Sequence, residues 1–323
     1  MMANEMSKSL PIGKWMVFNS YLKVIAGDGS VEIPGQSIEQ FHENLSGNLN
    51  KIWNRMTSGS YFPPPARRVF ISAKHGGKRL DIPTVSDRIA QGVVKDYLEP
   101  CLERIFHPSS FGYRPGKSAH NAYKQWHDNC IKYGWGINVK IKGFFDNISH
   151  DIMLQLLQQH AQEKWILLYA ERWLKAGVKQ KDGRIAARSK GILQGGVISS
   201  LLANIYLHHC FDKWMDEVNM QNPFERYGDD IVIHCSGKEE AGQLLEKLRA
   251  RMQQYELELH PEKTKIVYCK NYQRNDENDS NRFTFLGYSV LPGIMNRFDR
   301  RNRMVFNAAK TTIRAKLTAV FMA

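Results

Sequence analysis

The chain has 323 residues, of which 42% are hydrophobic and 24% charged, and its formal net charge is +13 at pH 7. These fractions are typical of an ordinary soluble protein. No stretch approaches the roughly 20 apolar residues of a membrane helix, and the N-terminus lacks the apolar core of a signal peptide. Five cysteines without paired spacing indicate a reducing compartment. We therefore expect a cytoplasmic protein without a membrane partner.

The basic excess lies in two separate segments. Residues 51–95 hold nine Lys or Arg against two Asp, and residues 261–323 hold twelve against five acidic residues. The rest of the chain is close to neutral. Two basic segments flanking a neutral middle favour a groove that follows a phosphate backbone. Solubilising charge and attraction to anionic membranes are the alternatives.

Hydrophobic periodicity predicts a mixed helix and strand pattern in the first part of the chain. A helix is predicted at 37–56 and another at 85–105, the second with Ser86 as its N-cap. Strands are predicted at 69–72 and 79–82, on either side of a Gly-Gly turn.

The pattern continues with alternating helices and strands. Helices are predicted at 118–133, 151–160, 163–176 and 239–256, with a C-terminal one at 308–321. A Gly-rich turn at 191–196 opens a buried helix that reaches about Val218. Strands are predicted at 136–141, 226–235 (a hairpin), 257–259, 265–268 and 283–290.

The most informative local feature is Tyr227-Gly228-Asp229-Asp230, which is followed by the apolar run 231–233. Two adjacent carboxylates among strand-forming residues suit a hairpin tip that holds metal ions. Mg²⁺ takes hard oxygen ligands, and two such ions can clamp both sides of a phosphoryl displacement. A solvated turn is the alternative, because paired aspartates are common.

Six further motifs appear in order: SDRIAQ at 86–91, SFGYRPG at 110–116, KGFFDNI at 142–148, QGGVIS at 194–199, LHPEKT at 259–264 and FLGY at 285–288. With the aspartate pair, they make the chain closely resemble the reverse transcriptase of bacterial group II introns, from about Ser37 to at least Tyr288.

The resemblance implies an α+β right-hand polymerase fold with helical fingers, an antiparallel palm sheet and an incomplete thumb. An N-terminal extension would cover 1–36, the fingers 37–135, the palm 136–290 and the start of the thumb 291–323. Family members continue through the thumb into an RNA-binding maturase domain. We expect that domain to be absent here, in a chain that is either truncated or a degenerate copy.

The function implied by the resemblance is RNA-directed DNA polymerase activity in the bacterial cytoplasm. Two Mg²⁺ ions held by Asp229 and Asp230 would serve nucleotidyl transfer to a primer 3′-hydroxyl. The implied partners are an RNA template, a DNA primer, group II intron RNA and deoxynucleoside triphosphates, while the oligomeric state is left open.

The resemblance also implies substrate-binding residues. Lys74 and Arg79 would neutralise the incoming triphosphate, unless they lie on a solvated hairpin. Phe145 matches the residue that blocks a ribose 2′-hydroxyl, with core packing as the alternative. Gln194 and Gly195 match the turn that lies along the nascent base pair, where glycine permits close backbone approach.

Three basic residues are candidates for nucleic-acid contacts by the same resemblance. Arg114 could contact template phosphate, and a structural ion pair is equally compatible with its position. Lys263 and Lys265 could reach the primer backbone, or form a solvated basic face.

One position departs from the family pattern at the expected metal site. The strand before Gly143 reads Asp-Ile-Lys in this family, where the Asp is the third metal-binding carboxylate, and it begins with Lys140 here. At about 4 Å and an effective dielectric near 20, repulsion of a divalent cation by this lysine would be on the order of several kcal/mol. We expect Lys140 to pair with Asp229 or Asp230 and weaken Mg²⁺ binding.

The lysine at position 140 therefore allows a second interpretation of the function of the chain. Asp146 lies past the strand and is no obvious substitute for the missing carboxylate. The alternative function is a catalytically silent remnant that binds RNA or an RNA–DNA duplex through its basic segments.

Overall fold

The structure of the chain is a computed structural model that describes residues 9–27, 36–71, 78–269, 283–286 and 288–290. These residues form an α+β protein with two compact units. Within the described ranges, the first unit draws on residues up to Arg104 and on Ile148–Leu202, and the second on Ile105–Asn147 and on residues from Ala203 onward. No described helix is both long and apolar enough to cross a membrane.

Most helices and strands follow the predicted order, but the short strands Val178–Lys179 and Ile185–Ala186 were not predicted, and the strand predicted at 257–259 is only a single bridge between Leu259 and Ile141. The helices are α1 (Lys14–Ala26), α2 (Ile38–Glu43), α3 (Leu45–Thr57), α4 (Val85–Leu102), α5 (Ala119–Lys132), α6 (Phe144–Asn147), α7 (His150–His160), α8 (Lys164–Lys175), α9 (Ser199–Leu207), α10 (Lys213–Val218) and α11 (Lys238–Gln254). The strands are β1 (Ala66–Ile71), β2 (Lys78–Ile82), β3 (Trp135–Lys140), β4 (Val178–Lys179), β5 (Ile185–Ala186), β6 (Phe224–Tyr227), β7 (Asp230–Cys235), β8 (Lys265–Tyr268), β9 (Phe283–Phe285) and β10 (Tyr288–Val290).

The first unit packs helices beside a small sheet of order β2-β1-β4-β5. The β1 strand runs antiparallel to β2 and parallel to β4. The helix predicted at 37–56 is in fact two helices, because the chain leaves helical geometry at Asn44. The predicted N-cap of α4 was also wrong. Thr84 has the extended backbone of an N-cap, and its side chain accepts a hydrogen bond from the amide of Asp87.

The second unit is built on an antiparallel sheet of order β6-β7-β3-β8. The two middle strands are mostly buried, which explains the apolar run after the aspartate pair. Helix α5 packs its fully buried Trp126 against Val232 of β7 and Val267 of β8. The names fingers, palm and thumb rest on the resemblance, so their boundaries remain a prediction. The predicted thumb and its helix at 308–321 lie outside the described residues.

A buried ion pair lies beneath the β6–β7 hairpin in the second unit. The guanidinium of Arg226 donates from Nε and Nη2 to both carboxylate oxygens of Asp212, over 2.7 and 2.6 Å. Both side chains are 0% exposed. Asp212 ends a π-helical turn, His208–Asp212, that interrupts the single helix predicted to run to Val218. Burial raises the pKa of Asp212, but the Arg226 charge and the hydrogen bonds from Arg226 and His208 together outweigh it and lower the pKa overall.

We predict that Arg226→Met lowers the free energy of unfolding by about 3–5 kcal/mol, because it leaves the Asp212 carboxylate buried without its partner. The double variant Arg226→Met/Asp212→Leu should recover much of this loss, since no unpaired charge remains. Urea unfolding of the parent, both single variants and the double variant measures the coupling. If the losses of Arg226→Met and Asp212→Leu simply add up in the double variant, the two side chains are not coupled and this account is wrong.

Candidate functional site

The tip of the β6–β7 hairpin is a two-residue loop at Gly228 and Asp229. Tyr227 pairs with Asp230 across the hairpin, and Gly228 has a φ of +62°. Glycine adopts this left-handed conformation without steric cost. A Cβ at Gly112 would collide with the amide nitrogen of Gly228, so the loop before α5 touches the turn backbone to backbone. The sequence therefore places its two carboxylates on a tightly held turn.

Arg226 and Asn204 connect this turn to the Gly112 loop. Arg226 donates from Nη1 to Asn204 Oδ1 over 2.9 Å, and Asn204 donates from Nδ2 to the carbonyl of Gly112 over 2.9 Å. The sequence analysis missed both residues. Arg226 could have been noticed from the sequence, because it lies in a strand whose other residues are mostly buried. A buried arginine requires a charged or hydrogen-bonding partner.

Lys140 pairs with both aspartates of the turn, where the sequence predicted a pair with one or the other. Its Nζ lies 2.8 Å from Asp229 Oδ2 and 2.8 Å from Asp230 Oδ1. The Lys140 side chain is 29% exposed, against 21% for Asp229 and 47% for Asp230. The three groups form a half-buried cluster of one positive and two negative charges.

The electrostatics of this cluster fix the protonation of Lys140. Burial by itself lowers the pKa of Lys140, but the two carboxylates outweigh it and raise the pKa above the ordinary value. Burial raises the pKa of Asp229, although the lysine charge opposes this. Burial and the Asp229 charge likewise raise the pKa of the neighbouring Tyr113. Lys140 is therefore a permanent cation at this place.

The two-Mg²⁺ site expected at the turn does not fit the residues present. The ammonium of Lys140 occupies the position between Asp229 and Asp230 that a metal ion would take. Among the described residues, no group of three His, Cys, Asp or Glu side chains could hold a metal ion. Asp146 lies on the short helix α6 beyond β3, where its backbone amide donates to Gly143.

Phe145 also lies on α6 and is half-buried, with its ring 5.5 Å from that of Phe144. Its assignment as a block against a 2′-hydroxyl remains a prediction.

The three candidate nucleic-acid contacts have different surroundings. Arg114 donates from Nη1 to the carbonyls of His107 and Ser110, over 2.6 and 2.8 Å, and so stabilises its own loop. Lys263 and Lys265 are exposed at the start of β8. All three phosphate contacts remain predictions, and the two lysines are the more exposed of the three residues.

In the first unit, the Gly-rich turn is held against β2. The carbonyl of Gln194 accepts a hydrogen bond from the amide of Asp81 over 2.8 Å. Gly195 has a φ of +122°, and a Cβ there would lie 3.0 Å from the Asp81 carbonyl oxygen. Arg79, on the same strand, has its Nε 4.0 Å from Asp81 Oδ2. Lys74 lies outside the described residues.

Asp87 and Gln91 support this turn from α4, and the sequence analysis gave neither a role. Gln91 donates from Nε2 to Asp87 Oδ2 over 2.9 Å, and its Oε1 accepts from the amide of Ile198 over 3.3 Å. Asp87 also accepts from Tyr61 Oη and Trp173 Nε1. An ionised carboxylate can only accept hydrogen bonds, so Asp87 must face the NH₂ group of Gln91. The amide oxygen of Gln91 is therefore the end that faces the turn.

Comparison with known proteins agrees with this geometry. The family model for "Reverse transcriptase (RNA-dependent DNA polymerase)" matches residues 71–290. Group II intron-encoded protein LtrA of Lactococcus lactis is 33% identical over 186 residues, which cover 57% of this chain and 30% of LtrA. Protein YkfC of Escherichia coli is 28% identical over 297 residues, which cover 80% of this chain and 75% of YkfC.

A solved structure of telomerase from Candida albicans, in complex with a fragment of telomeric RNA, has a similar fold. The TM-score is 0.55 at 13% identity, and the match covers 78% of this chain and 48% of the telomerase chain. At this identity the match supports the right-hand polymerase fold and nothing finer.

We predict a pH-dependent stability term from Asp87. Burial raises its pKa to about 6, and the hydrogen bonds from Trp173, Gln91 and Tyr61 oppose this only partly. The folded protein therefore binds this proton more tightly than the unfolded chain does, and ionisation costs stability as the pH rises from about 4 to about 6. Over that range the unfolding free energy of the parent should fall by up to about 3 kcal/mol relative to Asp87→Asn. Urea titrations of both proteins at several pH values test this, and parallel pH profiles would contradict it.

Proposed function

The chain belongs to the reverse transcriptase (RNA-dependent DNA polymerase) family, and from this premise we propose that it is the polymerase region of a bacterial group II intron reverse transcriptase. The reaction for which such a region is built is the extension of a DNA primer by deoxynucleoside triphosphates on an RNA template. The observation that carries the proposal is the Asp229–Asp230 turn, which β6 and β7 present at the end of an antiparallel sheet.

Its partners follow from the relatives and from the charge. LtrA is encoded by a group II intron, which supports intron RNA as a partner of this chain. The matched part spans only 30% of LtrA, so the activities of that whole protein are proposals for this one. The basic segments 51–95 and 261–323 supply charge for a phosphate backbone. Exposed Lys263 and Lys265 belong to the second of these.

The substrate-binding roles form part of the same proposal. Gln194 and Gly195 would lie along the nascent base pair, where the left-handed glycine permits close approach. Phe145 would limit the space at the sugar 2′ position, and Lys74 and Arg79 would face the triphosphate. The family works with divalent metal ions, and Mg²⁺ is the ion that we propose for its reaction.

A second candidate function has a specific observation in its favour. The ion pairs of Lys140 with Asp229 and Asp230 oppose metal binding, so the chain would hold RNA or an RNA–DNA duplex without extending the primer. Both candidates use the same fold and partners, and differ only in the consequence of residue 140.

The proposed location is the bacterial cytoplasm. All five cysteines are free thiols and four of them are buried, as suits a reducing compartment. LtrA and YkfC are both bacterial proteins.

We predict that Lys140→Asp extends a DNA primer on an RNA template with Mg²⁺, and that the parent does so at least roughly 100-fold more slowly. A repulsion of about 3 kcal/mol between the lysine and a divalent ion corresponds to that factor. Both proteins should bind an RNA–DNA duplex, with affinity that falls steeply as salt increases. Incorporation of labelled deoxynucleotides and fluorescence anisotropy are the measurements.

The outcomes separate the two candidates. Equal extension by the parent would support the first candidate without change. Extension by Lys140→Asp alone would support the polymerase fold and the silent state of the parent. Failure of both proteins to extend the primer and to bind the duplex would contradict the proposed function.

A further inference from the structure

We infer that the Lys140 ammonium is the resident cation of the Asp229–Asp230 pair, and that this pair takes up no divalent metal ion while Lys140 is present. The identity of the pair as a polymerase centre rests on the proposed function. The exclusion of metal rests on the geometry of the three side chains alone.

The register of the sheet places the lysine at the carboxylates. Lys140 lies directly opposite Asp230 in the antiparallel ladder between β3 and β7. Directly opposed residues on such strands project to the same face, with Cβ atoms about 5 Å apart. A lysine at this register therefore reaches the turn without any rearrangement of the backbone, and its Nζ lies 2.8 Å from an oxygen of each aspartate.

The backbone around Lys140 is held from its other side as well. Its amide donates to the hydroxyl of Thr264, and its carbonyl accepts from the amide of His260 over 2.7 Å. Thr264 is buried. Because the end of β3 is fixed by these contacts, the lysine cannot leave the carboxylates by a shift of its strand.

The charges at the turn also oppose the binding of a divalent metal ion. A divalent ion at this turn needs carboxylate oxygens at about 2.1 Å in near-octahedral geometry. One oxygen of each aspartate is already engaged by Lys140. An entering ion would have to displace the ammonium and then remain a few ångströms from its charge. The third carboxylate that would offset this cost is the residue that Lys140 replaces.

Nearby acidic groups do not rescue the site. Among the described residues no cluster of three potential metal ligands exists. Glu258 is paired with Lys142 over 3.0 Å at the surface. This second lysine offers a matched control, because it lies two residues from Lys140 and does not touch the aspartate turn.

The test measures Mn²⁺ binding. The electron paramagnetic resonance signal of free Mn²⁺ decreases as the ion binds to the protein, and this decrease gives the affinity. Lys140→Asp should bind Mn²⁺ at least tenfold more tightly than the parent. Lys142→Asp changes the net charge equally and should bind like the parent. Adding Asp229→Asn to Lys140→Asp should abolish the gain, which assigns the new site to this turn.

Other variants keep the inference falsifiable. If Lys140→Asp does not fold without metal, Lys140→Asn supplies an oxygen ligand without a third negative charge and should also bind Mn²⁺ more tightly than the parent. The inference is overturned if the parent binds Mn²⁺ as tightly as Lys140→Asp and loses that binding in Asp229→Asn. It is also overturned if Lys142→Asp gains as much affinity as Lys140→Asp.

The result is separable from the proposed function. A gain of Mn²⁺ binding in Lys140→Asp, without primer extension or RNA–DNA binding by any variant, would support the inference and refute the function. Primer extension by the parent, with Mn²⁺ bound at Asp229, would refute the inference and support the function.

Discussion

The antiparallel register between β3 and β7 is the constraint on which the candidate site depends. It pairs position 140 with Asp230 one step from the hairpin tip, so the side chain at 140 decides the charge of the centre. With a carboxylate there, three negative groups would face one another and would require metal ions. With lysine, the two aspartates are bridged by a permanent cation that belongs to the chain. One substitution thus changes the chemistry of the site and leaves the scaffold as it is.

The scaffold itself depends on a second charge, which is buried deeper. Arg226 directly precedes the turn. Its guanidinium donates hydrogen bonds to the side chains of Asp212 and Asn204 and to the carbonyl oxygen of Gly228. Close contact of the Gly112 and Gly228 backbones fixes the same turn from the other direction. These interactions do not depend on residue 140. These contacts therefore hold the turn in place independently of the charge at position 140.

The sequence predicted the features whose determinants are local. Alternating apolar residues located β3 and the β6–β7 hairpin, and the motif order placed Lys140 beside the aspartates. The break at Asn44 and the π-helical turn before Lys213 were missed, because a continuous apolar stripe does not reveal a backbone irregularity. The N-cap of α4 was misplaced because serine ranks above threonine as an N-cap by residue type, whereas the backbone leaves helical geometry at Thr84.

The missed site residues have partners far away in the chain. Asp87 and Gln91 were recognised only as parts of a motif, since the contact of Gln91 with Ile198 and that of Asp87 with Trp173 join residues far apart in the chain. For Arg114 the sequence left a phosphate contact and a structural role open, and the structure adds two carbonyl partners that the sequence could not specify. Side-chain roles of this kind follow from tertiary contacts and not from spacing.

The most direct test of the central claim is anomalous diffraction from crystals of the unmodified chain grown with Mn²⁺, recorded near the manganese absorption edge. The account predicts electron density for Lys140 Nζ between Asp229 and Asp230, and no anomalous peak at that position. An anomalous peak bridging the two carboxylates, with the Lys140 side chain turned away, would contradict it.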